Sequence, residues 1–117
     1  HDALPISIDE QGVFKVTMNE SLAVALLTNL LKNAFVHNID GGHIRITVTK
    51  NGITFRNSGV EHPLNKEHIF ERFYQGSKKE GSTGLGLAIA DSICRLQHLN
   101  IKYYFEQNEH CFEISQS

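Results

Sequence analysis

The chain has 117 residues, a formal net charge of −2, 40% hydrophobic residues and 21% charged ones. This balance suits one domain with one modest core and argues against disorder. Lys and Arg are scattered, which removes the basic footprint of a nucleic-acid binder, and no apolar run approaches the ~20 residues that span a bilayer. Residues 4–8 alternate apolar and polar side chains, Asp9 to Gly12 make a turn, and residues 13–16 alternate again, so two short strands are predicted. Asn19 or Ser21 can cap the helix that follows, in which Leu22, Leu26, Leu30 and Ala34 recur every fourth residue beside Leu27 and Leu31. It ends near Asn38, ahead of the Asp40-Gly41-Gly42 turn.

Ile44, Ile46 and Val48 then alternate with Arg45, Thr47 and Thr49, and Asn51-Gly52 separates them from Ile53-Thr54-Phe55, the spacing of a hairpin. Residues 59–66 read as loop. Residues 67–73 read as a short amphipathic helix with Ile69, Phe70 and Phe73 on one side. Residues 75–83 are polar, hold Gly76 and Gly81, and read as a mobile loop. A second long helix is predicted over 84–97, with Leu85, Ala88, Ile89, Ile93 and Leu96 facing inward. Residues 101–106 and 111–114 close the chain as a hairpin around Gln107-Asn108-Glu109. Hairpins alternate with helices and no serial βαβ pattern appears. The expected fold is an α/β two-layer sandwich, a mixed and mostly antiparallel sheet covered on one face by three helices.

Cys94 and Cys111 lie far apart, and the seven histidines are dispersed without an HExxH-like spacing, so the pattern points to reduced thiols and to no zinc site. Three short segments carry chemistry. Asn29 and Asn33 lie one helical turn apart, so both amides project from one face, where a neutral oxygen can ligate Mg²⁺. The plainer alternative is an amide pair that caps neighbouring backbone or faces solvent. Gly81-Ser-Thr-Gly84-Leu85-Gly86 leads directly into a helix, and free N–H groups at a helix start attract anions. The alternative there is a flexible turn capped by Thr83; the spacing is neither a P-loop nor a Rossmann fingerprint. Asn57-Ser58-Gly59 ends a strand, where a short polar side chain could reach the edge of a base, or simply make a turn.

Taken together, these segments resemble the histidine-kinase branch of the ATPase family that also holds type II topoisomerases, mismatch-repair ATPases and heat-shock chaperones. Asn29-Leu-Leu-Lys-Asn33-Ala-Phe-Val-His37 resembles the family's N box, Ile69-Phe-Glu-Arg72-Phe73-Tyr its F box, and the segment from Gly81 to Ile89 its last glycine box. The resemblance covers nearly all of residues 1–117 and implies one ATP-binding domain of the Bergerat fold, a piece of a longer sensor kinase. It implies that Asn33 ligates Mg²⁺ with Asn29 assisting, and that His37 contacts nucleotide. Asn57 would recognise the adenine amino group, with Gly59 letting the base pack closely. Arg72 or the lid lysines Lys78 and Lys79 would approach the terminal phosphate, and Gly81, Thr83, Gly84, Leu85 and Gly86 would hold the phosphate chain. Phe70 and Phe73 would anchor the lid, and plain core packing would explain them equally well.

Three positions depart from that pattern. The family usually has Asp at Asn57, a second glycine where Val60 and Glu61 stand, and a basic residue at Val36. A neutral amide accepts a weaker hydrogen bond than a carboxylate, so adenine recognition should weaken. The hydrolase branch has a general-base Glu at Asn29; an amide cannot serve as a base, so intrinsic ATP hydrolysis should be very slow. The resemblance further implies a phosphoacceptor histidine on a separate dimerisation domain, a response regulator beyond it, and attachment to a bacterial inner membrane through segments outside this chain. The domain alone is expected to be a monomer. The rival reading is a degenerate, non-catalytic module that holds a protein partner, as anti-sigma factors of the same fold do.

Overall fold

A computed structural model describes residues 5–39, 41–59, 63–74 and 84–117. The order is β1 (Ile6–Glu10), α1 (Glu20–Val36), β2 (Ile44–Thr49), β3 (Gly52–Asn57), α2 (Gly86–Leu96), β4 (Leu99–Glu106) and β5 (Glu109–Gln116). The five strands form one mixed sheet in the order β1-β2-β3-β5-β4, parallel only between β1 and β2. The two-layer sandwich is as the sequence pattern predicts.

Both hairpins follow from local chemistry. Gly52 lies so close to the Ile114 carbonyl of the neighbouring strand that a side chain there would meet backbone. At the second hairpin, Gln107 and Asn108 both take positive φ, 53° and 61°, the pair of left-handed residues that a tight turn between twisted strands demands. Pairing in register sets the faces. One row runs Ile46, Phe55, Phe112 and Tyr103 across four strands, and the next runs Val48, Ile53, Ile114 and Ile101. Leu26 and Leu30 of α1 and Ala90, Ile93 and Cys94 of α2 close over these rows. Each large apolar side chain so buried contributes about 1.5–3 kcal/mol. The opposite face is a polar ladder in which Arg56 donates to Thr47 and Tyr104 donates to Glu113.

The structure corrects the sequence reading in four places. Residues 13–16 form no strand: Phe14 packs onto the core, and Lys15 offers its carbonyl to the Gln116 amide 3.0 Å away. The partner of β1 is β2, and parallel strands need a long crossover, which α1 supplies. One βαβ unit is therefore present where none was predicted. Residues 67–73 are not a helix. His68, Glu71 and Tyr74 each donate to the carbonyl three residues before, so the segment is a run of turns, too short to offset the cost of helix nucleation. Two helices thus cover the sheet among the described residues. Finally, α2 starts at Gly86 rather than Gly84, and Ile89 and Leu96 are 42% and 66% exposed while Ala90 and Cys94 are buried, so its inner stripe is rotated from the predicted one.

Candidate functional site

Helix α1 carries Asn29 and Asn33 on its half-buried flank, while Leu26, Leu30 and Ala34 face the core. The Asn29 Nδ2 donates to the Ala25 carbonyl at 2.8 Å, which turns its Oδ1 outward from that bond. A Cβ built on Gly86 would lie 3.2 Å from this oxygen, so the N box and the first residue of α2 face each other. Asn29 therefore presents an acceptor and nothing basic. Asn33 accepts through its backbone carbonyl the N–H of His37, the residue that closes α1.

Asn57 is the last residue of β3 and 2% exposed. Its Nδ2 donates to the Ser58 carbonyl at 2.7 Å. Its Oδ1 is buried and has no hydrogen-bond partner among the described residues. Buried acceptors are normally paired, and leaving one unpaired costs about 1–3 kcal/mol. Asn57 pairs across the sheet with Ile44 on one side and His110 on the other, at the end of the helix-covered face. His110 is buried and shares a 2.8 Å hydrogen bond between its Nδ1 and Tyr103 Oη, which also receives the Leu64 N–H. Burial pushes the Tyr103 phenol above its ordinary pKa. Gly59 fits because it has no side chain: a Cβ there would lie 2.8 Å from the His110 ring and 3.2 Å from the His37 carbonyl.

The start of α2 is built from backbone. Gly84 takes φ +73°, and a Cβ on it would lie 2.6 Å from Phe73 Cα. Phe73 also has positive φ, 66°, and donates its N–H to the Gly84 carbonyl at 2.6 Å. Leu85 occupies the N-cap position, and among the described residues no side chain caps the helix. Phe73 is 66% exposed, with the Arg72 guanidinium 5.5 Å above its ring. It does not anchor into the core as predicted, because its left-handed backbone turns it outward. Phe70 does pack there, edge-on to Phe112. Lys78, Lys79, Gly81, Thr83, the expected mobile loop and the altered Val60-Glu61 positions lie outside the described residues.

Sequence reasoning missed a polar network that ties these parts together. The buried Asn38, just beyond α1, donates to the His43 carbonyl and accepts from both the Ile39 N–H and the Ser58 hydroxyl, which itself receives the His43 N–H. Gly42 is forced here: a side chain on it would collide with Asn38 and Ser58. The Gly41-Gly42 pair was the visible signal, read only as a turn. At the outer end of the same strands, Glu109 is buried under a two-pronged contact from Arg45 and a 2.7 Å contact with His43. The Arg45 hydrogen bonds hold the Glu109 carboxyl below its ordinary range against the opposing effect of burial.

The family of histidine kinase-, DNA gyrase B- and HSP90-like ATPases matches residues 18–115. The sensor histidine kinase RppB of Synechocystis is 44% identical over 84 residues, which cover 64% of this chain and 18% of that protein. The heme sensor protein HssS of Staphylococcus aureus is 40% identical over 90 residues, 73% of this chain and 20% of that protein. The chain thus spans about a fifth of the length of these relatives. In fold it is similar to the catalytic domain of histidine kinase ThkA, with a TM-score of 0.81 at 24% identity, covering 95% of this chain and 76% of that one. The mycobacterial sensor histidine kinase MprB gives 0.72 at 21%, covering 93% and 81%.

Proposed function

This chain belongs to the family of histidine kinase-, DNA gyrase B- and HSP90-like ATPases, and from that premise we propose that it binds ATP with Mg²⁺ and presents the γ-phosphate to a histidine on a separate dimerisation domain of a sensor kinase. The observation that carries the reading is the buried, unpaired Asn57 Oδ1 beside Gly59. An unpaired acceptor at the end of a strand, beside a glycine whose missing side chain lets the neighbouring backbone and ring approach closely, fits the amino group of adenine.

The residues at hand fit the rest of the nucleotide. Asn33 would hold Mg²⁺ through its amide oxygen, with Asn29 Oδ1 beside the start of α2. The N–H groups at that start, with Gly84 and Gly86, would hold phosphate oxygens, and Arg72 would meet the terminal one. Lys78 and Lys79 are the further basic groups for that end. Mg²⁺ would neutralise charge on the phosphates. Phosphoryl transfer asks a protein for positioning and charge stabilisation more than covalent chemistry. With Asn29 in place of a base, water is not activated, so transfer to an acceptor outruns hydrolysis. A response regulator would take the phosphoryl group next, and segments outside this chain would anchor the whole protein in a bacterial inner membrane. Among the described residues no helix is long and apolar enough to cross a membrane.

Calorimetric titration with a non-hydrolysable ATP analogue, with and without Mg²⁺, beside Asn33→Ala tests this. Magnesium-dependent binding that the variant loses is the expected result. A folded domain that takes up no nucleotide would overturn the reading in favour of a partner-binding module.

A further inference from the structure

We propose that Asn57 makes the base subsite two-sided, so that it takes a 6-oxopurine nucleotide in addition to ATP, at weaker affinity; this rests on the nucleotide reading above. The Ser58 carbonyl can only accept, so it orients the Asn57 amide with Nδ2 toward itself at 2.7 Å and leaves Oδ1 as the buried, unpaired end. In that orientation the subsite reads a donor, the 6-amino group of adenine. An amide has a donor end as well. A half-turn about its last torsion brings Nδ2 to the place of Oδ1, where it donates to a 6-oxo group. The losses are the single bond to Ser58 and a contact between two acceptors.

The surroundings make that rotation the available adjustment. Asn57 is paired into the sheet between Ile44 and His110. Ser58 is held by Asn38 and His43, and Gly59 is pressed against the His110 ring and the His37 carbonyl. The backbone around the amide is therefore fixed on both sides, while the amide itself spends one bond on its neighbour. A carboxylate in the same place has acceptors at both ends and cannot adapt. The residue that departs from the family pattern thus changes which bases are accepted rather than only weakening one.

The test is calorimetric titration of the chain with Mg-ATP and with Mg-ITP, on wild type, Asn57→Asp and Asn57→Ala, each checked for cooperative thermal unfolding. Inosine triphosphate has a 6-oxo group and lacks the 2-amino group of guanine, so its base differs from adenine only at position 6 and at N1, which carries a hydrogen. The lost bond to Ser58 and the two facing acceptors correspond to a preference for ATP of about ten- to a hundredfold in wild type. In Asn57→Asp the charged acceptor favours the amino group and repels the oxo group, widening the wild-type preference about tenfold further or more. Asn57→Ala removes both ends and brings the ratio near one. A wild-type preference above about a hundredfold, or ratios that do not move in the variants, overturns the proposal while leaving ATP binding intact. If Asn57→Asp does not fold, the ratio in Asn57→Ala decides. Failure of both nucleotides to bind the folded wild type overturns the nucleotide reading and this proposal with it.

Discussion

At the start of helix α1 a side chain accepts an early backbone N–H, whereas among the described residues no side chain does so at the start of α2. At α1 the Asn19 Oδ1 accepts the Leu22 N–H at 3.1 Å, and Glu20 adds an acidic group to the first turn. At α2 the cap position is Leu85, the first turn has no acid, and the chain arrives through a left-handed Gly84. Both helices lie on the same sheet and pack against each other, so burial does not explain the difference. A capped start answers its own partial positive charge; an uncapped one leaves it for an external anion. Under the proposed function that anion is the phosphate chain, and the stability forgone at α2 is the condition of binding it.

The sharpest way to break this contrast is Gly84→Ala. The left-handed φ and the close Phe73 backbone together should cost about 2 kcal/mol or more, read as a lower midpoint in urea unfolding. Nucleotide affinity should fall with it, since the start of α2 must shift. Asn19→Ala removes the other helix's cap and should cost about 1 kcal/mol while nucleotide affinity stays at the wild-type value. An affinity loss there would mean that the two helix starts are coupled and the contrast is false. Leu85→Asp should act in the opposite sense. An acid at the α2 start should stabilise the nucleotide-free domain by about 0.5 kcal/mol and weaken ATP about tenfold by answering the dipole in place of phosphate. A rise in both stability and affinity would show that phosphate does not sit there.

Those variants separate what was legible in the residues from what was not. A cap at Asn19 or Ser21, the Leu26-Leu30-Ala34 stripe and both hairpins could be read from spacing, because each depends on contacts a few residues long, and the mixed sheet under helices from the order of the elements. The turn run over 67–73 misread as a helix shows the limit of the same signal. Ile69 is buried and Phe70 partly buried, as an amphipathic helix would place them, yet the hydrogen bonds close over three residues. Apolar spacing reports which side chains go inward and is nearly silent on the backbone that takes them there.

The sequence by itself determined the candidate groups: Asn29 and Asn33 one turn apart, Asn57 before Ser58 and Gly59, and glycines leading into α2. Tertiary structure alone decided how they meet. Asn29 faces Gly86 because α1 and α2 pack together, and Gly59 closes on His110 because β3 and β5, distant in sequence, are paired in register. The unpaired state of Asn57 Oδ1 is likewise a property of its surroundings. A local pattern can name an amide, but whether water or protein reaches it depends on chain segments that only folding brings alongside.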